Sequence, residues 1–263
     1  MIETADHPCH RFTGKPGLEL AIIADFARLL KSSTGAKLVG PVNKLYSIGL
    51  SNSADPLLRL LLDPLGQHLF DLSFVLTTGW PLPTVEFTPL PAHMPVSLLP
   101  AESAGRVITV LTEADIVLFN AAVLRADQAH PNYRSYEVAG VSHIPAPVYD
   151  AMQLDWLPIL RALFVAGDRW ITDEIAPPPS VFLATAAATL DPVYQRATGI
   201  ARDENLNAQG GIRLPDLALG RSQFIAVDAA KDVLTGKFVD LKCSPLPDGS
   251  IRFPDHSTYV KRA

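Results

Sequence analysis

Apolar positions recur along the chain with two alternating periods. Residues 17–30 place Leu18, Leu20, Ile22, Ile23, Phe26, Leu29 and Leu30 at near-helical spacing. Residues 42–49 (VNKLYSIG) form a short run of β-formers, and the leucine-rich stretch 52–62 predicts a helix. Three further strands are predicted at 70–77 (FDLSFVLT), 107–111 (VITVL) and 133–138 (YRSYEV), with a helix at 116–126 before the last of them. Residues 157–172 predict an amphipathic helix, closed off by Pro177–Pro179. Beyond it Pro and Gly interrupt the chain, and 224–227 is the one strand predicted there. Strands alternating with helices give an α/β fold, a mostly parallel sheet with flanking helices. In such sheets ligands bind beyond the carboxyl ends of the strands.

Proline changes this picture at one place. Of 23 prolines, six fall between Trp80 and Pro100, so residues 80–105 cannot be a helix or a central strand. This excursion is expected to be a lid or pocket wall lined by Trp80, Phe87, Met94, Leu98 and Leu99, or else a surface loop packed by its own side chains. With 48% hydrophobic and 19% charged residues, the 263-residue chain fits one domain spanning residues 1–263. A net charge of −5 without a Lys/Arg cluster argues against a nucleic-acid partner. Apolar runs are too short to span a bilayer, and the N-terminus lacks a basic start followed by an apolar core. Cys9 and Cys243 fit a reducing, cytoplasmic setting and have no metal-ligand spacing, so no metal or organic cofactor is expected.

Candidate chemistry begins at Gly49-Leu50-Ser51-Asn52-Ser53-Ala54, between a β run and a leucine-rich helix. A strand that reverses sharply into a helix crowds the backbone around a central serine, and small residues two before and two after relieve it. The serine then stands at a helix N-terminus, where negative charge is favoured, with the Asn52 N–H as one oxyanion donor. Alone this pattern reads first as a turn serine capping a helix. Two later features add to it. The strand at 107–111 runs into Thr112-Glu113-Ala114-Asp115, placing two carboxylates at its end, and the strand at 133–138 runs into Ala139-Gly140-Val141-Ser142-His143. The order serine, acid, histidine, each after a strand, is that of a Ser51, Asp115 or Glu113, His143 constellation. Asp115 is favoured over Glu113 because it lies two residues further into the expected loop. Arg213, in Gly210-Gly211-Ile212-Arg213, reads as a carboxylate binder or as a structural arginine.

These stretches, YSIGLSNSA at 46–54, TEAD at 112–115, YEVAGVSH at 136–143, RALFVAGDRWITDEIAPPPS at 161–180 and GGIRLP at 210–215, resemble the α/β-hydrolase-domain family of esterase-like proteins with a G-x-S-x-S elbow. The resemblance implies a serine hydrolase of carboxylic esters, with Ser51 as nucleophile, His143 as base and a small-molecule ester as substrate. It does not separate Glu113 from Asp115. The chain departs from the pattern twice. Ser53 replaces the last elbow glycine, and only about 40 residues precede the elbow strand. A partial fold is therefore expected, without the N-terminal strands and the second oxyanion donor. Self-association through the sheet edge left uncovered is expected with it. The second reading is a hydrolase-like binding or interaction protein without turnover. The sequence leaves open whether Met1 is the natural start.

Overall fold

The computed structural model describes residues 18–78, 105–119, 121, 125, 131–145, 154–186, 190–194, 196–219, 222–227 and 237–240. The excursion at 80–104, its lining residues and both cysteines lie outside them.

Helix α1 (Leu18–Lys31) buries Leu20, Ala24 and Ala27 along one stripe. Helix α2 (Ser33–Val39) is capped by Ser32, whose Oγ accepts from the Gly35 N–H. Strand β1 (Tyr46–Leu50) leads through a tight turn at Ser51–Ser53 into α3 (Ala54–Leu62). Then come β2 (Leu72–Leu76), β3 (Arg106–Thr112), α4 (Glu113–Phe119), β4 (Tyr133–Val138) and α5 (Leu157–Thr172). The four strands form one all-parallel sheet in the order β1-β2-β3-β4. Their carboxyl ends share one rim, so everything that follows a strand gathers there.

Strand β2 reads LSFVL without alternation, and every residue of it is buried, as a strand covered on both faces requires. On one face α5 closes tightly at Gly167, where a Cβ would come within 2.9–3.1 Å of Leu72, Phe74 and Ile108 side-chain atoms. Helix α3 returns against β1 and β2, and α1 lies against α3.

The two sheet edges differ. Beyond β4, Val181 and Ile212 add parallel bridges to Tyr136 and Val138. The Glu137 N–H donates to Val181 O and the Ala139 N–H to Ile212 O, so this edge is hydrogen-bonded. Beyond β1 no strand pairs among the described residues, and Ile48 is 57% exposed.

Two short antiparallel pairs stand apart from the sheet: β5 (Leu190–Asp191) with β6 (Arg196–Ala197), and β7 (Ser222–Ile225) with β8 (Lys237–Asp240). The single turn α6 (Pro215–Ala218) precedes β7. The late strand predicted at 224–227 thus begins two residues earlier. A larger correction concerns α4, which starts at Glu113 rather than Ile116. Glu113 and Asp115 open a helix and do not lie in a loop. No helix among the described residues is long and apolar enough to cross a membrane.

Candidate active site

The elbow is built from small residues under strain. Ser51 has φ 53°, a left-handed conformation uncommon outside glycine. Gly49 is required because a Cβ there would lie 2.5 Å from the Ser53 carbonyl oxygen and 2.7 Å from Ala54 Cα. Ser53 needs no glycine, since its φ of −88° is right-handed. Its hydroxyl staples the turn instead, accepting from the Leu50 N–H and donating to the Leu50 carbonyl, each at 2.8 Å. The departure from a final elbow glycine is therefore a substitution of hydrogen bonding for backbone freedom. Pro56 is the third residue of α3, in its first turn, where proline is tolerated. Asn52 lies in the turn that opens this helical run, so its N–H belongs to the group without carbonyl partners inside the helix.

At the end of β3, Thr112 and Asp115 form a reciprocal cap. The Asp115 N–H donates to Thr112 Oγ at 3.2 Å and the Thr112 N–H donates to Asp115 Oδ2 at 2.7 Å. One carboxylate oxygen is thereby fixed, and the other, Oδ1, lies 2.5 Å from His143 Nδ1. His143 Nε2 lies 2.7 Å from Ser51 Oγ. An ionised carboxylate only accepts, so Nδ1 carries the hydrogen, Nε2 is left as acceptor, and the Ser51 hydroxyl donates to it. The Phe119 ring meets the His143 ring edge-on at 5.4 Å between centroids and limits its rotation. Asp115 and His143 are both buried, whereas Ser51 is half-buried. Burial pushes the Asp115 carboxyl above its ordinary range, against hydrogen bonds from His143 and Thr112 that favour its charged form.

Glu113 is directed elsewhere. In an extended loop residues two apart share a side, but on a helix they point about 200° apart. The Glu113 carboxylate accepts from the Gly140 N–H at 2.7 Å, from the Tyr194 hydroxyl at 2.8 Å and from Arg202 at 2.6 Å. Arg202 also bonds Asp191 at 2.7 Å. Burial works against the Asp191 charge, but hydrogen bonds from Arg202, Thr198 and the Val193 N–H outweigh it and hold this carboxyl below its usual range. This network ties the first turn of α4 to the loop that carries His143. Sequence reasoning missed it because its members lie up to 89 residues apart, although the Thr-x-x-Asp cap itself was legible as a helix start. Arg213 pairs with Asp203 at 2.6 Å, a structural contact. Among the described residues no group of three or more His, Cys, Asp or Glu side chains is arranged to hold a metal ion.

A family model described as an alpha/beta hydrolase domain matches residues 4–263. The chain belongs to that family, which supports a hydrolase-type function. No curated protein and no solved structure matches it.

Proposed function

We propose that the protein is a serine hydrolase of carboxylic esters. The observation that carries this reading is the row Ser51–His143–Asp115, with contacts of 2.7 and 2.5 Å between side chains from the ends of β1, β4 and β3. Hydrolysis needs these three groups in this order. A serine hydroxyl is a poor nucleophile until a base takes its proton. In the proposed reaction Ser51 Oγ attacks the ester carbonyl carbon while its proton moves to His143 Nε2. The Asn52 N–H receives the developing oxyanion. His143 then gives the proton to the leaving alcohol, and a water repeats the sequence to release the acid. Asp115 holds the imidazole tautomer and stabilises the imidazolium, an attraction that burial strengthens.

The test is hydrolysis of short-chain p-nitrophenyl esters by the wild type and by Ser51→Ala and His143→Ala. A wild-type rate that both substitutions abolish is expected. No rate above background would favour the second reading, a hydrolase-like binding protein without turnover, for which the supporting observation is that no strand pairs with β1 beyond β2 among the described residues.

A further inference from the structure

One residue at the sheet's carboxyl rim is strained, buried and without a hydrogen-bonding partner for its side chain. Thr77 follows β2 directly. Its φ is 46°, and it is the only β-branched residue among the non-glycines of positive φ in the described chain. For a β-branched side chain this conformation is an outlier, and it persists only where the surroundings impose it. The Thr77 N–H is satisfied by the Val110 carbonyl at 2.8 Å. The Thr77 hydroxyl is buried, yet it has no hydrogen-bond partner among the described residues. A buried polar group left in this way is costly, and it calls for an explanation.

Its place in the sheet supplies one. Leu50 and Leu76 are register partners on adjacent parallel strands, so the chain leaves β1 at Ser51 beside the point where it leaves β2 at Thr77. Neighbouring strands lie about 4.8 Å apart. The His143 ring reaches from Asp115, just past the end of β3, to Ser51, past the end of β1. The strand between those two is β2. Thr77 therefore ends the strand that lies between the strands leading to Ser51 and to Asp115.

Resting on the ester-hydrolase reading above, we propose that Thr77 is a catalytic residue whose hydroxyl holds the oxygen that exchanges on the acyl carbon. In acylation that oxygen is the leaving alkoxide, which departs as the bond from carbonyl carbon to alcohol oxygen breaks and which takes its proton from His143. In deacylation it is the water oxygen, which bonds to the same carbon as one proton passes to His143. The bond from that carbon to Ser51 Oγ then breaks, and the proton returns to Ser51. Both oxygens stand beside His143 Nε2, because the second half-reaction runs the first in reverse with water for alcohol. The Thr77 hydroxyl donates to the leaving oxygen and accepts from the second hydrogen of the water.

An activated leaving group separates the two halves. p-Nitrophenolate departs without help, so only deacylation needs Thr77. With p-nitrophenyl acetate and the full chain, Thr77→Val is expected to acylate at the wild-type rate and to turn over about tenfold more slowly, the effect of one hydrogen bond. A stoichiometric burst and an acetyl adduct on Ser51 in the intact-protein mass should follow. Thr77→Ser, which keeps the hydroxyl, should behave as wild type, and the valine variant should melt no lower than wild type because it removes an unpaired buried hydroxyl. If valine does not fold at this position, Thr77→Ala against Thr77→Ser makes the same comparison. Unchanged turnover in Thr77→Val, or burst and turnover lost in parallel, or a lowered melting temperature without an adduct, overturns the inference. A wild type that acylates no faster than Ser51→Ala defeats the ester-hydrolase reading, and the role of Thr77 with it.

Discussion

Two carboxylates two residues apart have been given different work by the helix they open. Asp115 caps α4 with one oxygen and meets His143 with the other. Glu113 bridges Arg202, Tyr194 and the Gly140 N–H. Asp115→Asn keeps an oxygen for the Thr112 N–H but misdirects the histidine tautomer, so kcat should fall by roughly 10⁴-fold. Stability should move the other way. The folded-state pKa of Asp115 is raised, so its stabilising contribution is full below the unfolded pKa and lost as pH rises through the folded one. Burial disfavours the charged form of Asp115, and Asp115→Asn, which removes that cost, should melt no lower than wild type. Glu113→Gln should behave in reverse: it leaves Arg202 partly unpaired in the interior, at a cost of about 3 kcal/mol, and retains substantial turnover below its melting temperature. Steady-state kinetics beside thermal melts of both variants check the pair, and a lower kcat for Glu113→Gln than for Asp115→Asn would contradict it.

Elements explain why some of this was legible and some was not. That Ser51, Asp115 and His143 come together was readable because each follows an apolar run, and parallel strands bring their carboxyl ends to one rim. Asp115 is the carboxylate that meets His143, yet it is the cap and the helical turn that separate the two acids, and not the reach within a loop that the sequence suggests. The strain at Thr77 and the Arg202 network were hidden. Backbone sign leaves no mark in a threonine, and long-range pairs have no local period. At the elbow the sequence signal is strict. Gly49→Ala would press a Cβ onto the Ser53 and Ala54 backbone, which cannot move aside as a side chain does. Displacing Ser51 by such a shift should slow its labelling by a covalent serine probe ~10²-fold while the protein stays folded. Equal labelling rates would contradict the strain account.

Across the buried network, pH adds a second reading. The Asp191 carboxyl sits below its usual range, so its contribution is present above the unfolded pKa and lost as pH falls through the folded one. Asp191→Asn should therefore melt lower than wild type at pH 7, and the deficit should narrow once pH drops below about 4. A constant gap from pH 7 to pH 3 would argue against the ion pair as its source.

On the scale of the whole molecule the sheet is asymmetric. The β4 edge is hydrogen-bonded to Val181 and Ile212, while β1 presents Ile48 and Leu50 to solvent with no paired strand among the described residues. Unpaired apolar edges template association, and a charge on the edge blocks it. Ile48→Lys should leave the melting temperature nearly unchanged and reduce concentration-dependent association measured by light scattering. A wild type that stays monomeric at all concentrations would remove this expectation.

The central claim is that Ser51 is a nucleophile made reactive by His143 and Asp115. Reaction of the intact protein with a fluorophosphonate, followed by mass mapping of the adduct, tests it most directly. One adduct per chain on Ser51, absent from Ser51→Ala and strongly slowed in His143→Ala, is the predicted result. A wild type that reacts no faster than Ser51→Ala would contradict it.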